Sequence, residues 1–265
     1  MDLKIGDLKV GAKLFFGSYG TRANTIHPIA WLKASRDNEF LSEFVLDLVK
    51  FDAQERNNPD RDIYWYGNGN YEISNILQFL NSFADDWYDP MHDYDAPPGN
   101  SVNVNDGQGE YVNHSGFLHD FEDYELECLS GRIDLPSYAN IFGSGGSPRF
   151  QLFSRKGFRG RPHADVVYNR IGHNMSEDSF CDFWISDMSG KYNASCIDRS
   201  GSRKTTYASN IGGLRPKCTI NPDIEVEPMP DGSGYRIVAF EAQKTRARNP
   251  KIATNEEFLA LMGLL

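Results

Sequence analysis

The sequence predicts an α+β protein built from short strands with a few helices and long polar loops. Three observations carry this. Short apolar runs separated by Gly, Asn and Asp turns recur along most of the chain. One segment switches to helical periodicity. Aromatics make up 13% of the residues, including 13 Tyr and 17 Phe, alongside 24 Gly, a mixture that suits strands and exposed loops better than a helix bundle.

The first fifty residues read as a meander. Lys13–Phe16, Pro28–Lys33 and Glu39–Phe44 are apolar runs, separated by Gly17, Gly20 and the Arg36-Asp37-Asn38 turn. Trp31 and Phe40 would face one core. Residues 53–72 carry Asn57-Asn58-Pro59-Asp60 and Gly67-Asn68-Gly69-Asn70, which is loop chemistry. Ile73, Ile76, Leu77 and Leu80 then recur at i, i+3, i+4 and i+7 behind Ser74, predicting a helix over 74–83 with Ser74 as N-cap.

Residues 84–116 form a long irregular stretch containing Asp85, Asp86, Asp89, Asp93, Asp95, Pro97 and Pro98. Such stretches inside a domain are often functional. A second helix is expected over 117–129, with Phe117, Phe121, Tyr124 and Cys128 on its apolar face. Strands are expected at Ile133–Leu135, Phe150–Phe153, Phe180–Ile185, Ala194–Ile197, Leu214–Ile220 and Tyr235–Phe240, with polar loops at 186–193 and 198–212. An amphipathic end at Asn255–Leu265 would dock on the body or on another subunit. The domain would span 1–228, followed by an extension over 229–265.

The net charge of -10 argues against nucleic acid as the main partner, since phosphate binding needs a basic face. No apolar run is long enough to insert in a bilayer. MDLKIGDLKV lacks the apolar stretch of a secretory leader. Cys128, Cys181, Cys196 and Cys218 form no CxxC pair, which points to four buried thiols, with a disulfide among the last three as the alternative.

Catalytic signatures are missing: there is no HExxH, Walker A loop, GxSxG or complete GxGxxG. The glycine-rich Gly143–Gly146 precedes Pro148 and a strand rather than the helix a phosphate cradle needs. His114 and His119 stand near Asp120, Glu122 and Asp123, a set that could hold a transition metal but suits a solvated helix start better. The acidic cluster at 85–95 lacks the spacing and glycine of an EF-hand loop. Asn58-Pro59-Asp60 and Asn221-Pro222-Asp223 look like the sugar-binding triplets of calcium lectins, yet are commoner as turns. His163, Asp165 and His173 are too scattered to define a nucleophile and its base. No cofactor is expected.

The segment 184–216 is the richest. After Trp184, polar stretches mix Ser, Tyr, Asn, Asp, Arg and Lys, the composition of adaptable binding loops. The candidate ligand-binding residues are Asp187, Lys191, Tyr192, Asn193, Arg199, Arg203, Lys204 and Tyr207.

Val10-Gly11, Phe16-Gly17-Ser18-Tyr19, Pro28-Ile29-Ala30-Trp31, Leu41-Ser42, Ser74–Asn81, Phe183-Trp184-Ile185-Ser186 and Gly213-Leu214-Arg215-Pro216 form an ordered set. Over residues 8–222 this set resembles a domain family of unknown function from Gram-positive bacteria and their prophages. The resemblance implies a C-type-lectin-like fold, related to the formylglycine-generating enzymes, with small antiparallel sheets, paired N- and C-terminal strands, two helices and long loops that bear a ligand site. The cysteine pair of that enzyme branch has no counterpart here, which argues against its activity. The resemblance implies a non-catalytic virion component of a phage or prophage, in a decoration, tail or receptor-binding role. It would be homo-oligomeric, would partner virion or tail subunits and would contact a surface glycan or protein. The alternatives are a metal-dependent hydrolase or oxidase, and an intracellular bacterial scaffold.

Overall fold

Strand formation in the chain follows its aromatic and β-branched runs. A computed structural model describes residues 2–21, 25–98, 111, 114–143, 150 and 180–238. In chain order the strands are β1 (Lys13–Thr21), β2 (Thr25–Lys33), β3 (Glu39–Ser42), β4 (Asp47–Lys50), β5 (Phe183–Met188), β6 (Asn193–Ile197), β7 (Arg203–Tyr207), β8 (Ile211–Leu214), β9 (Lys217–Thr219), β10 (Val226–Pro228) and β11 (Tyr235–Ile237). Among the described residues four short α-helices lie between β4 and β5: α1 (Arg61–Tyr66), α2 (Asn75–Leu80), α3 (Asp123–Glu127) and α4 (Tyr138–Phe142).

Two sheets result. One has six strands in the order β10-β11-β1-β2-β3-β9, and the other has five in the order β4-β8-β5-β6-β7. The ends of the described chain meet, because β11 lies beside β1. The expectation of antiparallel sheets needs correction, since β1–β11 and β5–β8 are parallel pairs. β11 comes from the stretch expected as an extension, and it is hydrogen-bonded between β10 and β1.

The predicted meander is present as β1, β2 and β3. Its register slips between Phe15 and Ser18. Gly17 sits in that bulge at φ 62°, where an added Cβ would lie 2.3 Å from the Phe121 ring. Glycine is required there on both counts.

The helix predicted at 74–83 is α2. Ser74 is its N-cap, and its hydroxyl accepts from the Leu77 N–H at 3.4 Å while donating to the Tyr71 carbonyl at 2.7 Å. The helix expected over 117–129 shrinks to turns followed by α3. Phe117, Phe121 and Cys128 are nevertheless buried, as that apolar face required. The segment 53–72, expected as loop, contains α1, capped by Asp60 accepting from the Asp62 N–H at 3.0 Å. α4 is closed by a reciprocal Ser137–Asn140 capping box. Among the described residues α1 and α4 add to the two helices expected at 74–83 and 117–129.

The strand expected at Leu214–Ile220 is two strands in different sheets, β8 and β9. Arg215-Pro216 makes the crossing. The Arg215 guanidinium is buried and donates to the carbonyls of Ser42 and Glu43, on the other passage between the sheets, from β3 to β4. Proline supplies no N–H and so suits a break in pairing.

The main core collects Trp31, Phe16, Phe51, Phe79, Trp87, Tyr111 and Trp184. A second apolar cluster gathers Leu41, Val45, Ile141, Phe150, Phe183, Ile185 and Ile197. β5 serves both, since its side chains alternate between the faces: Trp184 enters the first, while Phe183 and Ile185 enter the second. The acidic stretch after α2 is anchored by Trp87, which is fully buried, stacks on Tyr111 at 5.3 Å and donates to its carbonyl at 3.0 Å.

All four cysteines are buried free thiols, which removes the disulfide alternative. The strand expected at Phe150–Phe153 beyond its first residue, His163, Asp165, His173, the end of the strand Tyr235–Phe240 and the amphipathic end Asn255–Leu265 lie outside the described residues.

Candidate functional site

The polar residues after Trp184 fall largely on strands. The expected loop 186–193 contains the end of β5, and the expected loop 198–212 contains all of β7 and the first two residues of β8. β7 escapes an apolar pattern because it is the outer strand of its sheet, with Arg203, Lys204, Thr205 and Tyr207 exposed.

Within the β6–β7 hairpin Asn193 is directly opposite Tyr207. α1 is held against this hairpin by backbone contacts. The Gly69 N–H donates to the Lys191 carbonyl at 2.9 Å, and the Ser209 N–H donates to the Tyr66 carbonyl at 2.9 Å. An added Cβ on Gly69 would lie 2.4 Å from the Gly190 carbonyl oxygen and 2.6 Å from that of Asn193. Only glycine permits that approach.

The docking assembles a tyrosine cluster. Tyr66 stacks on Tyr207 at 3.9 Å with 14° between the planes, and Tyr192 packs on Tyr66 at 5.6 Å. The neighbouring Tyr207 phenol pushes the Tyr66 phenol above its ordinary pKa. Lys191 pairs with Asp60, the cap of α1. Next along α1, Trp65 is 46% exposed, with the Arg56 guanidinium 4.6 Å above its ring. Arg56 is oriented in turn by Gln54, whose Oε1 accepts from it at 2.6 Å.

Four of the eight candidates, Lys191, Tyr192, Asn193 and Tyr207, therefore share this neighbourhood. The other four do not. Asp187 accepts from the Tyr138 N–H at the start of α4, and Arg203 lies 5.2 Å over the Tyr138 ring. Arg199 and Lys204 both face Asp182, at 3.9 and 3.3 Å. Arg203 and Lys204 separate because adjacent strand residues point to opposite faces. Tyr66, Trp65 and Arg56 were not among the candidates. The signal for them was the run Tyr64-Trp65-Tyr66 between two turn-forming stretches.

The possible metal-binding side chains have other partners among the described residues. Both ring nitrogens of His119 face carboxylates, Asp120 at 2.8 Å and Asp85 at 3.1 Å. Asp95 is turned inward, accepting from the N–H groups of Met91 and Ala96. Among the described residues no three His, Cys, Asp or Glu side chains are grouped so as to hold a metal ion. The two Asn-Pro-Asp triplets are structural: Asp60 caps α1, and Asn221 accepts from the Asp223 N–H in a turn. No helix among the described residues is long and apolar enough to cross a membrane.

Beneath α1 lies a buried polar node. Asp52 is fully buried and accepts from the N–H groups of Asn68 and Asn75, at 2.8 and 3.0 Å. Burial nevertheless pushes its carboxyl well above the usual range. Glu55, also fully buried, is raised for the same reason and faces His92 at 3.6 Å. These groups fix the turn that follows α1 and thereby the platform above it.

No protein-family model, curated protein or solved structure matches this chain. The α+β class rests on the two sheets and four helices described above.

Proposed function

We propose that this is a non-catalytic binding protein whose working surface is the platform formed by α1 and the β6–β7 hairpin. The observation that carries the reading is the surface set of exposed Tyr207 and Trp65 with half-buried Tyr66 and Tyr192 and with Arg56, held at a sheet edge. Tyr, Trp and Arg dominate binding hot spots because they bring large contact area at low entropy cost.

The C-type-lectin-like fold and the place in a phage or prophage particle are carried by the sequence resemblance. In this reading the protein decorates a virion or tail, associates with itself and with virion subunits, and presents the platform to a glycan or protein on the bacterial surface. Two measurements test it. Mass spectrometry of purified particles should find the chain as a stoichiometric component. The purified full-length protein should adhere to Gram-positive cells, and Tyr207→Ala should reduce that adherence. A chain absent from particles, with no adherence, would refute the proposal.

A further inference from the structure

We infer that the platform takes the uncharged pyranose ring of a surface glycan, an inference that rests on the binding function proposed above. A tyrosine offers an apolar ring and a polar tip, and a sugar ring offers an apolar C–H face rimmed by hydroxyls. Ligand sites pair aromatic walls with a few placed polar groups. Here the walls are Tyr207, Tyr66 and Tyr192, and the polar groups are their phenols and the Asn193 amide opposite Tyr207. The three rings pack on one another before any ligand arrives. Little side-chain freedom is left to lose on binding.

Charge selects among sugars. Lys191 is committed to Asp60, Arg61 and Asp62 adjoin on α1, and Arg56 lies over Trp65, so basic and acidic side chains alternate around the platform. A polyanionic polymer is drawn to a cluster of like basic charges rather than to such a mixture. Size points the same way. A specific protein interface needs about 800 Å² per partner with an apolar centre, whereas three or four ring edges match one or two sugar residues.

The test uses the full-length protein on an array of immobilised neutral oligosaccharides of glucose, galactose, mannose, rhamnose and N-acetylhexosamines, with sialylated and phosphorylated glycans alongside. Binding should be confined to neutral glycans. Tyr207→Ala should weaken it about tenfold or more, while Tyr207→Phe stays within about threefold. Trp65→Ala, which removes no buried side chain, gives a second variant if Tyr207→Ala fails to fold, and should also weaken binding severalfold. On whole cells, periodate oxidation should abolish adherence and protease treatment should leave it. Adherence that survives periodate but not protease would overturn the sugar inference and leave the binding function standing. Preference for anionic glycans, or equal binding by Tyr207→Ala and Trp65→Ala, would also overturn it. Binding to neither array nor cells would overturn both.

Discussion

The indole N–H of Trp184 donates to the carbonyl oxygen of Val49 at 2.9 Å, tying the start of β5 to β4 across β8. The indole can lie there only because β8 carries glycine beneath it. An added Cβ at Gly212 would come within 2.5 Å of the Trp184 ring.

Gly212→Ala should therefore destabilise the protein by about 1–3 kcal/mol, the usual cost of overfilling a packed interior. Urea denaturation followed by tryptophan fluorescence measures it. An unchanged midpoint would mean that Trp184 has another place to go.

Ser74→Ala should cost about 1–2 kcal/mol. The residue is buried, and its hydroxyl is the side-chain cap of α2. The same denaturation experiment checks this, and amide exchange should speed up in the first turn of α2 before it does in β1–β3.

Stability should fall as pH rises from the mildly acidic range. Asp52 and Glu55 have native pKa values above their unfolded ones. The folded state thus binds more protons in that window, and the slope of stability with pH is negative from about pH 4 upward until the raised values are passed. Glu72 works in the opposite sense. The Arg132 guanidinium holds its carboxyl below the usual range. Its contribution is fully present above about pH 4.3 and is lost as pH falls through the native value. Denaturation midpoints taken from pH 3 to pH 9 should pass through a maximum near the acidic end, and Asp52→Asn should flatten the alkaline side.

The thiols should be inert in the folded protein. Burial pushes Cys128 and Cys181 up to about 12 and Cys196 to about 11, and raises Cys218 as well. Iodoacetamide at pH 8 should label none of the four in the native state and all four in guanidinium, as read by intact mass.

The sequence carried the parts of the fold whose side chains have one clear inside. β1 and β2 alternate against a single core, and α2 combines a cap with a helical apolar stripe. What stayed hidden has a common physical cause. In α1 only Ile63 is buried, so no periodicity marks the helix, and its aromatic residues serve the surface instead. β7 is an edge strand with little buried side chain. Leu214–Ile220 reads as one apolar run because both sheets need buried residues there, and nothing in the pattern marks the change of sheet. The candidate site was half legible for the same reason. Composition located the hairpin, but what separates Tyr207 from Arg203 is what each packs against, Tyr66 of α1 and Tyr138 of α4, and both are distant in the chain. Tyr66 and Trp65 come from a helix more than a hundred residues earlier.

The Arg215-Pro216 crossing has a mechanical consequence. Two covalent passages between the sheets run side by side, and a buried guanidinium laces one to the other. A pull on the β6–β7 hairpin from a bound ligand travels through β8 and this seam into the six-stranded sheet as tension along the polypeptide, without relying on interfacial friction between side chains. In the binding role proposed above, such a stitch would pass load into β-structure on both sides of the seam.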